Sequence, residues 1–204
     1  MKLQFKTQEY QTQATKRVID IFKGQEKGNR VDIIERKILD DGVFGKKTQE
    51  IKRFSNKEIS LSNEELLKNI QDTQKQDELL KISQNFKAGF NFSIEMETGT
   101  GKTFVYTKTM FELHKNYGWN KFIIVVPSIA IREGVHKSLD ITSDYFKEIY
   151  GKKIRYFIYD TKNSSNLVNI SSFASSSEFF VLREDFFAFS SSVRRFVMSS
   201  IKLR

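Results

Sequence analysis

Between Gln8 and Phe22 the apolar residues Tyr10, Ala14, Val18, Ile21 and Phe22 recur at spacings of four and three, which predicts a helix with one apolar face and Gly24 as its stop. From Gly24 to Gly89 the chain is polar, broken by short apolar pairs. Ile33-Ile34, Ile38-Leu39 and Ile51 fit strands or helix edges. Ser62-Asn63-Glu64-Glu65 starts a better-defined helix, with Ser62 as N-cap, Glu65 closing a capping box, and Leu66, Leu67 and Ile70 behind it. The run Gln71 to Glu78 reads as solvated helix face or loop, and the whole stretch as mainly helical filler.

The rhythm changes after Gly89. Phe90, Phe92 and Ile94 predict a buried strand, and Val105, Tyr106, Thr109, Met110 and Leu113 follow helical spacing to a stop at Gly118. The continuous apolar run at 121–126 predicts a strand buried on both faces of a parallel sheet. A helix over 131–150 and a strand over 154–160 complete the order strand, helix, strand, helix, strand, the signature of right-handed crossovers in a parallel α/β sheet. Beyond Asp160 serines cluster and phenylalanine pairs appear at Phe179-Phe180 and Phe186-Phe187. Phe179 to Leu182 fits a short strand, but neither period holds for long. The expected division is an N-terminal helix (1–23), an insertion (24–89), an α/β unit (90–177) and an unplaced tail (178–204).

Composition changes this picture little, whereas charge adds a partner class. Of 204 residues, 34 are Lys or Arg and 25 Asp or Glu, a formal charge of +9 that suits a polyanion such as nucleic acid; a solvated basic surface would carry the same charge. There is no cysteine, which excludes disulfides and thiolate metal sites and points to a reducing cytoplasm. With two histidines far apart, a structural zinc is excluded in practice. The start lacks a signal-peptide core, and no apolar run approaches membrane-spanning length.

The chemistry concentrates in Met96-Glu97-Thr98-Gly99-Thr100-Gly101-Lys102-Thr103, placed between the predicted strand and helix. It reads as a phosphate-binding loop. Gly99 and Gly101 allow the backbone to curl with its N–H groups inward, and Lys102 supplies a point charge for the β- and γ-phosphates. Thr103 offers a hydroxyl to a phosphate-bound Mg²⁺ at a helix N-terminus. Thr98 and Thr100 complete the candidate ATP-binding set. The strict pattern asks for glycine where Met96 stands.

That variant resembles the first motif of superfamily 2 helicases and translocases more than that of small GTPases or kinases. Tyr10-Gln11-Thr12-Gln13-Ala14 is similar to the Tyr-Gln-x-x-Ala stretch those proteins carry upstream, and the resemblance implies that Gln11 reads adenine. A carboxamide has a donor and an acceptor side by side, matching the N6 and N7 edge of adenine. Residues 92–103 together with Phe122-Ile-Ile-Val-Val-Pro-Ser-Ile-Ala-Ile-Arg-Glu-Gly-Val135 resemble the restriction subunit of type III restriction-modification systems, through about residue 177.

The resemblance implies a partial RecA-like P-loop domain, with Mg²⁺ and ATP as cofactors and Thr103 as the metal ligand. It further implies DNA-backbone contact by Pro127, Ser128 and Arg132, and an ATP-driven translocase on double-stranded DNA joined to a nuclease and working with a methyltransferase subunit. A loop at the carboxyl end of a strand is a sensible place for such contacts. Hydrolysis in these motors needs an Asp-Glu-x-His motif and an arginine from a second motor domain. No Asp-Glu pair follows Lys102, and Glu184-Asp185 stands in reverse order. The sequence therefore reads as an N-terminal part, possessing the nucleotide site without catalytic residues. Three readings compete: the ATP-binding part of a restriction motor, an ATP- or DNA-binding remnant without turnover, and a different P-loop enzyme or helicase.

Overall fold

The computed structural model describes residues 5–40, 46–76, 92–158 and 179–183. Its elements run α1 (Glu9–Ile21), β1 (Asn29–Asp40), β2 (Lys46–Asn56), α2 (Asn63–Gln76), α3 (Lys102–Tyr117), β3 (Lys121–Val125), α4 (Ile129–Tyr150), β4 (Tyr156–Ile158) and β5 (Phe179–Arg183). β1 and β2 form an antiparallel ribbon, while β5 lies between β3 and β4 and is parallel to both. The expected strand at Phe179 to Leu182 is thus present, whereas Phe90, Phe186, Phe187, Glu184 and Asp185 lie outside the described residues.

The core gathers where α1, α2, α3 and the start of β3 meet. Phe22 and Leu66 are fully buried there beside Val18, Leu113 and Trp119, and Phe22 meets the Trp119 ring edge-on at 5.0 Å. α3 packs on α4 through stacked rings, Phe111 on Phe146 at 4.9 Å and on Tyr150 at 4.8 Å. α2 begins as its sequence predicts: the Ser62 N–H donates to Glu65 Oε2 at 2.8 Å, and the Glu65 N–H donates back to Ser62 Oγ at 3.3 Å. The serine's contacts also hold the Glu65 carboxyl below its usual range.

Four expectations need correction. The buried face of α1 is Gln11, Thr15, Val18 and Ile21, not one led by Tyr10, which is 47% exposed. The helix is turned because its polar groups find partners: the Thr15 hydroxyl donates to the Gln11 carbonyl at 2.9 Å, and the Gln11 amide reaches another segment.

Among its described residues the segment 24–89 is not mainly helical, since β1 and β2 precede α2. Their register sets Asp32 against Arg53, Arg36 against Glu50 and Asp40 against Lys46.

Residues 92–97 form no strand. Phe92 and Ile94 still pack against the core while Ser93 and Glu95 face out, so the period of two is real, but the segment has no ladder partner among the described residues. Finally, β3 is not covered on both faces: Phe122 is buried, yet Ile123 and Val125 are 42% and 40% exposed. Among the described residues, helices cover one side of it only.

Candidate nucleotide site

The glycine loop emerges from the extended segment 92–97 and turns into α3 through two left-handed residues, Gly99 at φ +82° and Gly101 at φ +80°. A side chain would strain both positions. Gly101 is the N-cap of α3 and no side chain caps that helix, in contrast to α4, where the Ser128 hydroxyl accepts from the Ile131 N–H. The first-turn N–H groups of α3 are thereby left to an anion. A Cβ built at Gly99 would meet nothing within 4 Å, so the loop's outer side is open.

Inside the loop, Lys102 Nζ donates to the Glu97 carbonyl at 2.6 Å, and the Thr100 hydroxyl donates to the same carbonyl at 2.6 Å. The lysine is folded back on its own loop, which preserves its curl. The Thr103 carbonyl accepts from the Thr107 hydroxyl at 2.7 Å. One turn on, burial pushes the Tyr106 phenol up to about 12, so it stands as a neutral group behind the loop.

α1 closes the site from the other side. Gln11 Nε2 donates to the Thr100 carbonyl at 3.0 Å across 89 positions of sequence, and the Tyr10 hydroxyl donates to that carbonyl at 3.1 Å. Lys108 Nζ donates to the Thr12 hydroxyl at 2.9 Å, tying α3 to α1 a second time. Gln11, only 9% exposed, thus touches the loop that its sequence position suggested. The contribution of Tyr10 was not legible, because a tyrosine at the start of an amphipathic helix reads as part of its apolar face.

A cavity of about 550 Å³ opens between α1, the loop and α4. Gln11, Gly99, Thr100, Gly101 and Thr103 line it, with Phe104 and Ile141 as apolar wall. α4 also supplies Lys137, which sequence reasoning missed since nothing local distinguishes it from other helical lysines. Thr98 is exposed in the turn beside the cavity.

Pro127, Ser128 and Arg132 gather at the junction of β3 and α4, outside the lining of this cavity. Arg132 faces Glu133, Nη2 to Oε1 at 3.0 Å, and its backbone N–H donates to the Ser128 carbonyl at 3.0 Å. Among the described residues no group of three or more His, Cys, Asp or Glu could hold a metal ion, and no helix is long and apolar enough to cross a membrane. The hydroxyl of Thr103 and the phosphates of a bound nucleotide would supply the oxygen ligands that Mg²⁺ prefers.

Comparison with known proteins places the chain in a family. The family model described as "Type III restriction enzyme, res subunit" matches residues 4–188. The chain is 35% identical over 118 residues to the Type III restriction-modification enzyme EcoPI Res subunit of Escherichia phage P1, covering 56% of this chain and 12% of that one. It is 33% identical over 118 residues to the EcoP15I Res subunit of Escherichia coli, with the same shares. To the StyLTI Res subunit of Salmonella typhimurium it is 46% identical over 71 residues, 35% of this chain and 7% of the other. The matched stretch is therefore a small part of each of these relatives. Since the family model covers most of the sequence, the chain belongs to the family of type III restriction enzyme Res subunits.

Proposed function

We propose that this chain is the ATP-binding, N-terminal part of a type III restriction motor subunit, built on a RecA-like P-loop domain. The observation that carries the reading is the docking of Gln11 on the Thr100 carbonyl, which brings the candidate base-reading amide to a glycine loop whose helix N-terminus is uncapped. In this reading Gly99, Thr100 and Gly101 wrap the phosphates with backbone N–H groups. Lys102 leaves the Glu97 carbonyl for the β- and γ-phosphates, and Thr103 ligates Mg²⁺. Pro127, Ser128 and Arg132 contact the backbone of double-stranded DNA at the carboxyl end of β3. The intact system would work in the cytoplasm beside a DNA-methylating partner, coupling ATP hydrolysis to movement along DNA and cleavage.

The 204 residues contain no Asp-Glu pair after Lys102 that could hold Mg²⁺ and orient water. This favours the reading of binding without turnover for the chain by itself. Titration calorimetry tests both parts. Lys102→Ala should weaken Mg-ATP binding about 10- to 100-fold, the worth of about 1.5–3 kcal/mol for a hydrogen bond to a charged group, and the parent chain should release no phosphate when DNA is added. Equal affinity of parent and variant would remove Lys102 from the site. DNA-stimulated phosphate release that vanishes in Lys102→Ala would overturn the non-catalytic reading.

A further inference from the structure

The wall that α4 contributes carries a charge the nucleotide reading has not used. Lys137 lines the cavity from α4 and Lys6 lines it from the segment leading into α1, so two lysines border the same space. Neither has a charged partner among the described residues. The acids near Lys137 on its own helix are committed elsewhere. Glu133 takes Arg132 at 3.0 Å. Asp140 accepts from the Tyr156 hydroxyl at 2.7 Å and faces His136 Nδ1 at 3.7 Å. On the neighbouring turn, Ser138 also lines the cavity.

Two like charges bordering one concave, partly apolar space repel each other, and an anion bound there is attracted by both. The loop residues suggest where that anion sits, and Lys102 donates to the Glu97 carbonyl.

We infer that Lys137 of α4, together with Lys6, is a second cationic contact for the polyphosphate of the bound nucleotide, making α4 one wall of the nucleotide site. The inference rests on the nucleotide reading and deepens it: the cavity discriminates nucleotides by phosphate charge, not by the base alone. Lys137 acts on a bound anion and not on the fold, because its side chain is exposed and outside the core clusters.

The test is calorimetric titration of the full chain with Mg-ATP, ADP, AMP and adenosine, comparing the parent, Lys137→Met, Lys137→Arg and Lys102→Ala at matched thermal stability. Lys137→Met should weaken ATP about 10-fold, by the same charged hydrogen-bond scale. It should weaken ADP less, leave adenosine unchanged, and be restored by Lys137→Arg. The loss should shrink between low and high salt, since the contact is at a rim. Lys137→Met binding ATP as the parent does, while Lys102→Ala loses it, overturns this inference and leaves the nucleotide site standing. Equal losses for ATP and adenosine overturn it too, by showing that the wall reads shape. A parent chain that binds none of the four overturns both readings.

Discussion

Replacing each loop glycine by alanine tests whether α1 and the loop are one mechanical unit. Gly99 and Gly101 share almost the same backbone, φ +82° and +80°. The left-handed penalty, about 1–2 kcal/mol for a residue with a Cβ, is therefore common to Gly99→Ala and Gly101→Ala. Their surroundings differ. A Cβ at 99 meets nothing within 4 Å, whereas at 101 it would fall 2.8 Å from Gln11 Nε2. The amide must swing aside and give up its bond to the Thr100 carbonyl, a net loss of about 0.5–1.5 kcal/mol, rising to about 1–3 kcal/mol if the buried group finds no new partner.

Gly101→Ala should thus cost about 0.5–3 kcal/mol more than Gly99→Ala, and the excess should vanish when Gln11 is alanine. Trp119 is the single tryptophan, 4% exposed and packed on Phe22, so urea unfolding followed by its fluorescence reports the core that α1 helps to build. Midpoints compared at a common slope avoid the error of extrapolation to water. Equal midpoint shifts for the two glycine variants would refute the reasoning. So would an excess that survives in the Gln11→Ala background.

Two further outcomes follow from single groups. Gln11→Ala should weaken ATP by about 1–3 kcal/mol and leave GTP unaffected, on the scale of a bidentate amide contact to adenine, and a competition assay showing equal loss for both would confine Gln11 to holding the loop. Tyr117, whose hydroxyl donates to the Ile19 carbonyl at 2.8 Å, is pushed up to about 12, first by burial and then by the charge of Asp20. Its raised value means the unfolded chain loses this proton first, so the contribution is intact below about pH 10 and declines as pH rises toward 12; Tyr117→Phe should flatten that part of the stability profile, and an unchanged profile would sink the assignment.

Local backbone geometry was legible in the sequence and long-range cover was not. The loop from Thr98 to Thr103 could be read because its demands, left-handed glycines, a lysine and a helix start, are met within six consecutive residues. The capping box of α2 was legible for the same reason. The orientation of α1 was misread because burying Gln11 depends on an acceptor 89 positions away, which no period along the helix reveals. β3 was expected to be covered twice because its apolar run is unbroken, yet cover depends on what packs over it, and Ile123 and Val125 face outward. The ribbon's segments read equally as strands or helix edges because short apolar pairs such as Ile33-Ile34 and Ile38-Leu39 fit either period, and pairing between β1 and β2 decides for strands.

The segment between α1 and the loop shows how a long excursion can brace the site. Its ribbon leaves and returns at one place: the Gly28 N–H donates to the Tyr117 carbonyl at 3.0 Å, and Asn56 Oδ1 accepts from the N–H groups of Asn120 and Lys121 at 2.9 and 3.0 Å. Trp119 Nε1 adds a bond to the Lys57 carbonyl at 3.1 Å. With both ends of β1–β2 fixed at the junction of α3 and β3, ribbon length adds little closure entropy. The chain then enters α2, whose Leu66 and Ile70 join the core and whose Asn69 Nδ2 donates to the carbonyls of Ile21 and Lys23 at 3.0 and 2.9 Å. The Ile21 carbonyl is one that the end of α1 leaves without a helical partner, and Lys23 lies just past the C-cap Phe22. α1 is therefore held at its C-terminal end by the supposed filler and at its N-terminal end by the glycine loop, with about 15 Å of rigid helix between Gln11 and Ile21. A displacement of the loop that pulls on Gln11 has α2 and the ribbon's base to move against, which makes this segment part of the glycine loop's support rather than a spacer beside it.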